Sequence, residues 1–265
     1  MLDSFGRNIH YLRISVTDRC NLRCIYCMPE EGVELVPHNA ILSFEQIETI
    51  AITAVRLGID KIRLTGGEPL VRKGIVDLVA RLRKIPGLKT LAITTNGTLL
   101  APLAGQLVSA GLDSVNISLD TLDPERYARL TRRGIIEDVL AGIDAALAAG
   151  LAVKINTVVM EDTSNAEIEA LKKFARQKNA AFQTIARYSL QSMKTDAHEF
   201  DRPPPCATCN RIRLLADGTL RACLQSDISI PVDFQNIESS ISTIIKLKPA
   251  HGTTSSTYSV GKIGG

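Results

Sequence analysis

The chain of 265 residues carries 31 Lys and Arg against 28 Asp and Glu, a net charge of +3 that is too slight a bias to point to a nucleic-acid partner. Hydrophobic residues at 45% and charged residues at 22% match a globular protein with a sizeable core, which excludes wholesale disorder. No run of 18 apolar residues occurs, so neither a membrane-spanning helix nor export is expected.

In chain order, β-rich runs are expected at Leu12–Val16, Lys61–Leu64, Thr90–Thr94, Ser114–Leu119, Ala152–Val159 and Phe182–Tyr188, each separated from the next by a longer helix-like stretch. That alternation predicts a parallel sheet. Six strands fall short of a closed eight-stranded barrel, so the expected fold class is α/β, an open partial (β/α)6 barrel whose open side needs another cover. Ser43 with Gln46 forms a capping-box pattern, Ile47, Ile50, Ala51 and Ala54 share one face, and Gly58 can end that helix. Arg81 to Pro86 closes a second helix. Val139 to Ala149 reads as a later one packed by Leu140, Ile143 and Leu147, and Ser164 with Glu167 repeats the capping pattern. After Tyr188 the pattern changes, because Gln191 to Pro205 is polar and ends in three prolines. A boundary is placed there, with residues 1–190 as the barrel and 191–265 as a C-terminal region. The tail from His251 is rich in Gly, Ser and Thr, for which disorder is the default.

The six cysteines fall into two groups, residues 20–27 and 206–223. Such grouping favours metal ligation in a reducing compartment, so the cytoplasm is the expected location. Cys20-x3-Cys24-x2-Cys27 follows the first strand, at the rim where barrel active sites are built. Three thiolates leave one iron of a four-iron cube open to a small molecule. The alternative from spacing is a zinc knuckle completed by His10 or His38. The segment from Leu12 to Pro29, with Tyr26 just before the third cysteine, resembles the cluster loop of radical S-adenosylmethionine (SAM) enzymes. The resemblance implies a [4Fe–4S] cluster on Cys20, Cys24 and Cys27, SAM on the open iron, and a 5′-deoxyadenosyl radical as the product of its reductive cleavage.

Gly66-Gly67-Glu68-Pro69 follows the second strand. Alone it is a tight turn, but one β/α unit after the cysteines it resembles the family's motif for the SAM amino group, with Glu68 able to accept hydrogen bonds from an ammonium. Thr94-Thr-Asn-Gly and Asn116-Ile-Ser118-Leu-Asp120 put polar groups at the same rim. Ser118 matches a cofactor-contact position, while for Asp120 a capping role and a functional one stay open.

Cys206-x2-Cys209-x13-Cys223 again offers three thiolates, with a zinc ribbon as the alternative. The string from Cys206 to Leu224 resembles one family closely, the GTP 3′,8-cyclases that begin molybdenum cofactor biosynthesis, in which these cysteines hold a second [4Fe–4S] cluster. The resemblance extends over nearly all of residues 6–180. It implies that Arg13, Arg63, Thr94, Lys154, Arg211 and Arg213 contact GTP, the last two from the second cluster loop. Five cations suit a triphosphate, which Arg can grip with paired hydrogen bonds. The closing Gly264-Gly265 resembles the family's double-glycine tail, which enters the active site.

The segment between Tyr188 and Cys206, 17 residues, is shorter than the family's. Residues 182–192 also lack the family's Glu and Met at the strand end, so Tyr188 receives no role. The expected function is thus a radical SAM lyase, a GTP 3′,8-cyclase that takes electrons from a reductase or flavodoxin-like protein, with a homodimer left open and neither nucleic acid nor membrane as partner. A two-cluster enzyme acting on a peptide, and a catalytically impaired metal-binding homologue, are the alternatives.

Overall fold

A computed structural model describes residues 1–187, 189–196 and 199–255. Strands and helices alternate as β1 (Tyr11–Ser15), α1 (Phe44–Arg56), β2 (Lys61–Thr65), α2 (Ile75–Arg83), β3 (Thr90–Thr95), α3 (Ala104–Ser109), β4 (Ser114–Ser118), α4 (Pro124–Thr131), α5 (Ile136–Ala148), β5 (Ala152–Val159), α6 (Asn165–Gln177) and β6 (Ala181–Ala186). Then come β7 (Arg211–Leu214), β8 (Thr219–Arg221), β9 (Ser229–Pro231) and α7 (Ile237–Lys246). One sheet holds all nine strands in the order β6-β5-β4-β3-β2-β1-β7-β8-β9. β1 to β6 pair in parallel as an open, partial barrel, β7 joins the free edge of β1 in parallel, and β8 and β9 continue antiparallel.

Local chemistry sets the helix ends. Ser43 Oγ accepts from Gln46 N at 3.2 Å while Gln46 Oε1 accepts from Ser43 N at 2.8 Å, and Ser164 with Glu167 closes the same reciprocal box. Ile47, Ile50, Ala51 and Ala54 are buried as expected. On α5 Ile143 is buried as expected, but its neighbours on that face are Ile136, Val139 and Ala146, with Leu140 and Leu147 only partly covered. The reason is Gly142, where a Cβ would stand 2.3 Å from the Gly97 carbonyl oxygen. The bare backbone brings that side of α5 onto the β3 loop.

Side chains alternate across each strand. Leu12, Ile14, Ile62, Leu64, Leu91, Ile93, Val115 and Ile117 are almost wholly inaccessible and form the core shared with the helices. The other face carries Tyr11, Arg13, Lys61, Arg63, Thr94, Asn116, Ser118 and Lys154. Parallel sheets are usually apolar on both faces, so this polar face marks a site.

The segment after β6 covers part of the open side. Arg202 forms a parallel bridge with Ile185, Ala186 N donates to the Arg202 carbonyl at 2.8 Å, and Thr184 N donates to Asp201 at 2.8 Å. Residues 251–255, expected to be irregular, are tied down: Thr253 N donates to the Gln225 carbonyl and Ser255 N to the Leu190 carbonyl. Tyr188 and the tail 256–265, with its double glycine, lie outside the described residues.

Candidate active site

The loop leaving β1 carries Cys20, Cys24 and Cys27. Arg23 N and Ile25 N donate to the carbonyls of Thr131 and Leu130 at 3.0 Å, pinning the loop to the end of α4. Its entry is zipped to the β2 turn, where Gly67 N donates to the Thr17 carbonyl and Glu68 N to the Arg19 carbonyl, each at 2.8 Å. A Cβ on Gly66 or Gly67 would meet the Thr17 or Arg19 carbonyl oxygen at 2.4 Å, so both positions need glycine for close approach.

Burial raises the Cys20 thiol. It raises Cys24 further, with help from the Asp120 charge and the other two cysteines, and pushes Cys27 up to about 12, with help from Cys20. All three are free of disulfides. Three buried thiols that raise one another cannot all ionise without a cationic centre, and soft thiolates select iron–sulfur or zinc. His10 supplies no ligand, since Nδ1 pairs with Asp60 at 2.8 Å and Nε2 with Asn210 at 3.0 Å. His38 stands exposed in a short 3-10 turn. Among the described residues the Cys20, Cys24 and Cys27 sulfurs do not form a group close enough together to share a single ion.

Glu68 is buried, and its carboxylate already accepts from Leu70 N (2.9 Å), Thr95 Oγ1 (2.7 Å) and Asn96 N (2.7 Å), bracing the ends of β2 and β3. Burial outweighs these donors and lifts it to about 7. Tyr26 O–H donates to Asp120 Oδ2 at 2.6 Å, while Asp120 Oδ1 accepts from Val158 N at 2.8 Å. Asp120 therefore links the cluster loop to β5. Ser118 is half-buried at the end of β4, opposite Asn156 in the β4–β5 register.

Strand register assembles the cations. Arg63 on β2 pairs with Arg13 on β1, Arg13 with Arg213 on β7, and Arg213 with Arg221 on β8, giving four arginines abreast on adjacent strands. One step toward the strand starts, Lys61, Tyr11 and Arg211 form a second row. Arg13, Arg63, Arg213 and Arg221 are all at least 90% buried. Like charges in register oppose folding, so two such rows make this a face suited to an anion, although Arg221 itself is already bonded to the Ser226 carbonyl and the Ser255 hydroxyl and faces Asp227 Oδ1 at 3.7 Å. Arg63 donates through Nε to the Tyr11 hydroxyl (2.8 Å) and through Nη1 to the Ile93 carbonyl (3.0 Å) and Thr94 Oγ1 (3.4 Å), leaving Nη2 outside these bonds. Burial, then the charges of Arg202, Arg63 and Lys61, lower Lys154. Arg211 and Arg213 thus stand on a strand, not in the second cluster loop, because β7 joins the sheet beside β1.

The second cysteine group lies toward the opposite end of the strands. Cys206 opens a 3-10 turn, Cys209 precedes β7, and carrying the Arg213–Arg221 register on by two residues sets Cys223 opposite Arg211. The buried Lys248 ammonium ties this end together, donating to the carbonyls of Arg211 (2.9 Å) and Ala222 (2.7 Å). Burial would raise the Cys209 thiol, but Lys248 and Arg211 together bring it below its usual range. Cys206 Sγ accepts from Gly252 N at 3.4 Å and lies within 4.8 Å of Asp196 and His251 donor atoms. Lys194, already paired with Asp196, sets a positive charge against any single cation there.

Residues 14–175 match the model of the radical SAM superfamily. A GTP 3′,8-cyclase from Heliobacterium modesticaldum is 44% identical over 274 positions, covering 85% of this chain and 84% of the relative. One from Geobacter sulfurreducens is 38% identical over 324 positions, covering 100% and 99%.

The chain belongs to the GTP 3′,8-cyclase family of radical SAM enzymes.

Set against 265 residues here, the 324 aligned positions leave 59 of the Geobacter cyclase's positions without a counterpart, which agrees with a shortened stretch. Solved structures share the fold. anSMEcpe with bound AdoMet and the Kp18Cys peptide is 15% identical with a TM-score of 0.62, covering 89% of this chain and 79% of that one. Streptococcus suis SuiB bound to precursor peptide SuiA is 20% identical with a TM-score of 0.57 over 70% of this chain, which spans about two fifths (41%) of SuiB.

Radical SAM membership implies one [4Fe–4S] cluster and SAM, and three disulfide-free cysteines on the β1 loop, too far apart to share one ion, fit the cluster. Sequence reasoning missed four polar participants. Lys61 and Tyr11 were legible as period-2 neighbours of Arg63 and Arg13. Arg221, which pairs with Arg213, and Arg202, whose charge acts on Arg63 and Arg211, become neighbours only through the fold.

Proposed function

We propose that this chain is a GTP 3′,8-cyclase, converting GTP to (8S)-3′,8-cyclo-7,8-dihydroguanosine 5′-triphosphate in molybdenum cofactor biosynthesis. The observation that carries it is the row Arg63, Arg13 and Arg213, held in register between two cysteine triplets at opposite ends of the strands. From Tyr11 to Ser15 a strand rises only ~13 Å, about the length of an extended triphosphate nucleoside portion, so a nucleotide on this face reaches toward both ends.

Cys20, Cys24 and Cys27 would hold the cluster, which together with SAM would supply the radical chemistry directed at the ribose. The protein's own share is orientation and exclusion of water. The Gly66–Gly67 turn and Ser118 would receive SAM, with Tyr26 beside it and Glu68 bracing the turn. Arg13, Arg63, Lys154, Arg211 and Arg213, with Thr94, would grip GTP. Cys206, Cys209 and Cys223 would hold a second [4Fe–4S] cluster next to the guanine, with Lys248 fastening its end of the hairpin. Residues 1–190 would serve as the radical barrel and 191–265 as the region of the second cluster. We assign the electron supply to a reductase or flavodoxin-like protein, the working form to a homodimer, the location to the cytoplasm, and to the double-glycine tail a place in the substrate site. Among the described residues no helix is long and apolar enough to cross a membrane.

Anaerobically reconstituted protein given GTP, SAM and reductant is expected to yield the cyclised nucleotide. Formation of 5′-deoxyadenosine without it would overturn the substrate, and no SAM cleavage at full cluster loading would overturn the radical chemistry.

A further inference from the structure

Within the two cation rows stands one side chain of another kind. Tyr11 lies in register between Lys61 and Arg211, one step from Arg13 on its own strand. Its hydroxyl oxygen is 2.8 Å from Arg63 Nε and 3.5 Å from Arg13 Nη1, and its ring centroid lies 5.1 Å from Lys61 Nζ and 5.6 Å from Arg211 Cζ. The side chain is 7% exposed. Four cations from three strands therefore converge on a single phenol.

We propose that Tyr11 is a positioning residue of the triphosphate site, its oxygen spacing Arg63 and Arg13 and standing in for a phosphate oxygen until a polyanion takes its place. This rests on the assignment of the cation rows to triphosphate binding. Three functions follow from the geometry. The oxygen fixes the direction of Arg63 Nε, so that with Nη1 held by Ile93 and Thr94 the outward Nη2 is already aimed. The ring occupies the space between Lys61 and Arg211 and offers its face to both. The oxygen also supplies negative potential between like charges that strand pairing sets side by side.

Charge makes the same point. Burial would raise the phenol, but Arg13, Arg63, Arg211 and Lys61 together bring it down to about 7. The groups bearing on it are Arg13 from β1, Lys61 and Arg63 from β2 and Arg211 from β7. Around these stand Arg213 on β7, Arg202 from the segment after β6 and Lys154 on β5, with the acidic groups Cys209 and Asp201 acting on Arg211 and Lys154. A polyanion that takes over the guanidiniums removes the reason for the phenol to be ionised, so its binding takes up a proton. Below pH about 7 the phenol is already neutral and adds no pH dependence. Above it, affinity for the polyanion falls by up to about tenfold per pH unit.

The test uses cluster-loaded protein with 13C at tyrosine Cζ, whose NMR shift separates phenol from phenolate. Tyr11→Phe identifies the resonance among the five tyrosines. Without ligand it is expected to titrate near pH 7, and at about pH 8 saturating inorganic triphosphate should return it to the phenol position. Calorimetry should show the wild-type to Tyr11→Phe affinity ratio falling by up to about tenfold per unit above pH 7, a ratio in which the probe's own titration cancels. A wild-type resonance that stays phenolic from about pH 6 to about pH 9, or one unmoved by bound triphosphate, overturns the inference without reference to the variant. If triphosphate moves it and GTP does not bind, Tyr11 keeps this role and GTP is the wrong nucleotide. If GTP binds and is cyclised while Tyr11 stays unperturbed, the role of Tyr11 is wrong and the cyclase assignment stands.

Discussion

Replacing Gly67 by alanine places a Cβ 2.4 Å from the Arg19 carbonyl oxygen, 2.6 Å from its carbon and 2.8 Å from the Asp18 carbonyl oxygen. These are backbone atoms of the cluster loop, and ordinary contact begins at 3.4 Å, so the loop has to retreat by about 1 Å one residue before Cys20. Overpacking of this kind costs ~1–3 kcal/mol. The retreat also stretches Gly67 N to Thr17 O and Glu68 N to Arg19 O, both 2.8 Å, bonds worth ~0.5–1.5 kcal/mol each. The sum, ~2–6 kcal/mol, is a large part of a typical domain's stability. Denaturant unfolding of cluster-free Gly67→Ala should show a lower midpoint at unchanged slope, and the reconstituted variant should retain less iron and sulfide per chain. Gly105→Ala is the control: it lies in α3, a Cβ there meets nothing within 4 Å, and helix propensity predicts a gain of ~0.5–1 kcal/mol. A Gly67→Ala protein with the wild-type midpoint and full iron would show that the turn does not pack on the cluster loop.

Arg13→Met and Arg213→Met should each weaken GTP binding ~10–150-fold, from a charge-assisted bond of ~1.5–3 kcal/mol, and flatten its salt dependence; calorimetry that finds wild-type affinity in either would move the triphosphate elsewhere. Glu68 is lifted by burial from its ordinary 4.5 to about 7 despite three donors, so the folded protein holds a proton the unfolded chain releases. Its contribution to stability is therefore present below pH 4.5 and lost as pH rises to about 7, by at most ~3 kcal/mol. Cluster-free Glu68→Gln should lose that slope, and a slope equal to wild type would reject the assignment. Lys248→Met removes the donor shared by the Arg211 and Ala222 carbonyls, so iron and sulfide should drop to about half while the first cluster's spectrum persists; undiminished loading would release Lys248 from the second cluster.

What could be read directly were features whose cause is local. The cysteine triplet spans eight residues, the capping boxes span four, and strand alternation needs only a short window. β1 to β6 therefore lie within two residues of their expected ends. The open side's cover could not be read, since the polar segment around Arg202 has no period and its place depends on the edge of β6. Nor could β7 to β9. They are three or four residues long, and their arginines alternate with buried Ile212, Leu214 and Leu220, a pattern that passes for a cluster loop until β1 is present to pair with it.

Residue identity alone determined which chemistry this protein can hold: three thiols beside a glycine pair, three more near the end, and an excess of arginine along strands. Only tertiary structure decided where the charges meet, because Arg13 and Arg213 are 200 positions apart in the chain and adjacent in register. Pairing across such a distance is a property of the whole sheet, set by which strands bury Leu12, Ile62 and Ile212 against the helices, and it carries the polar partners on the opposite face along with it.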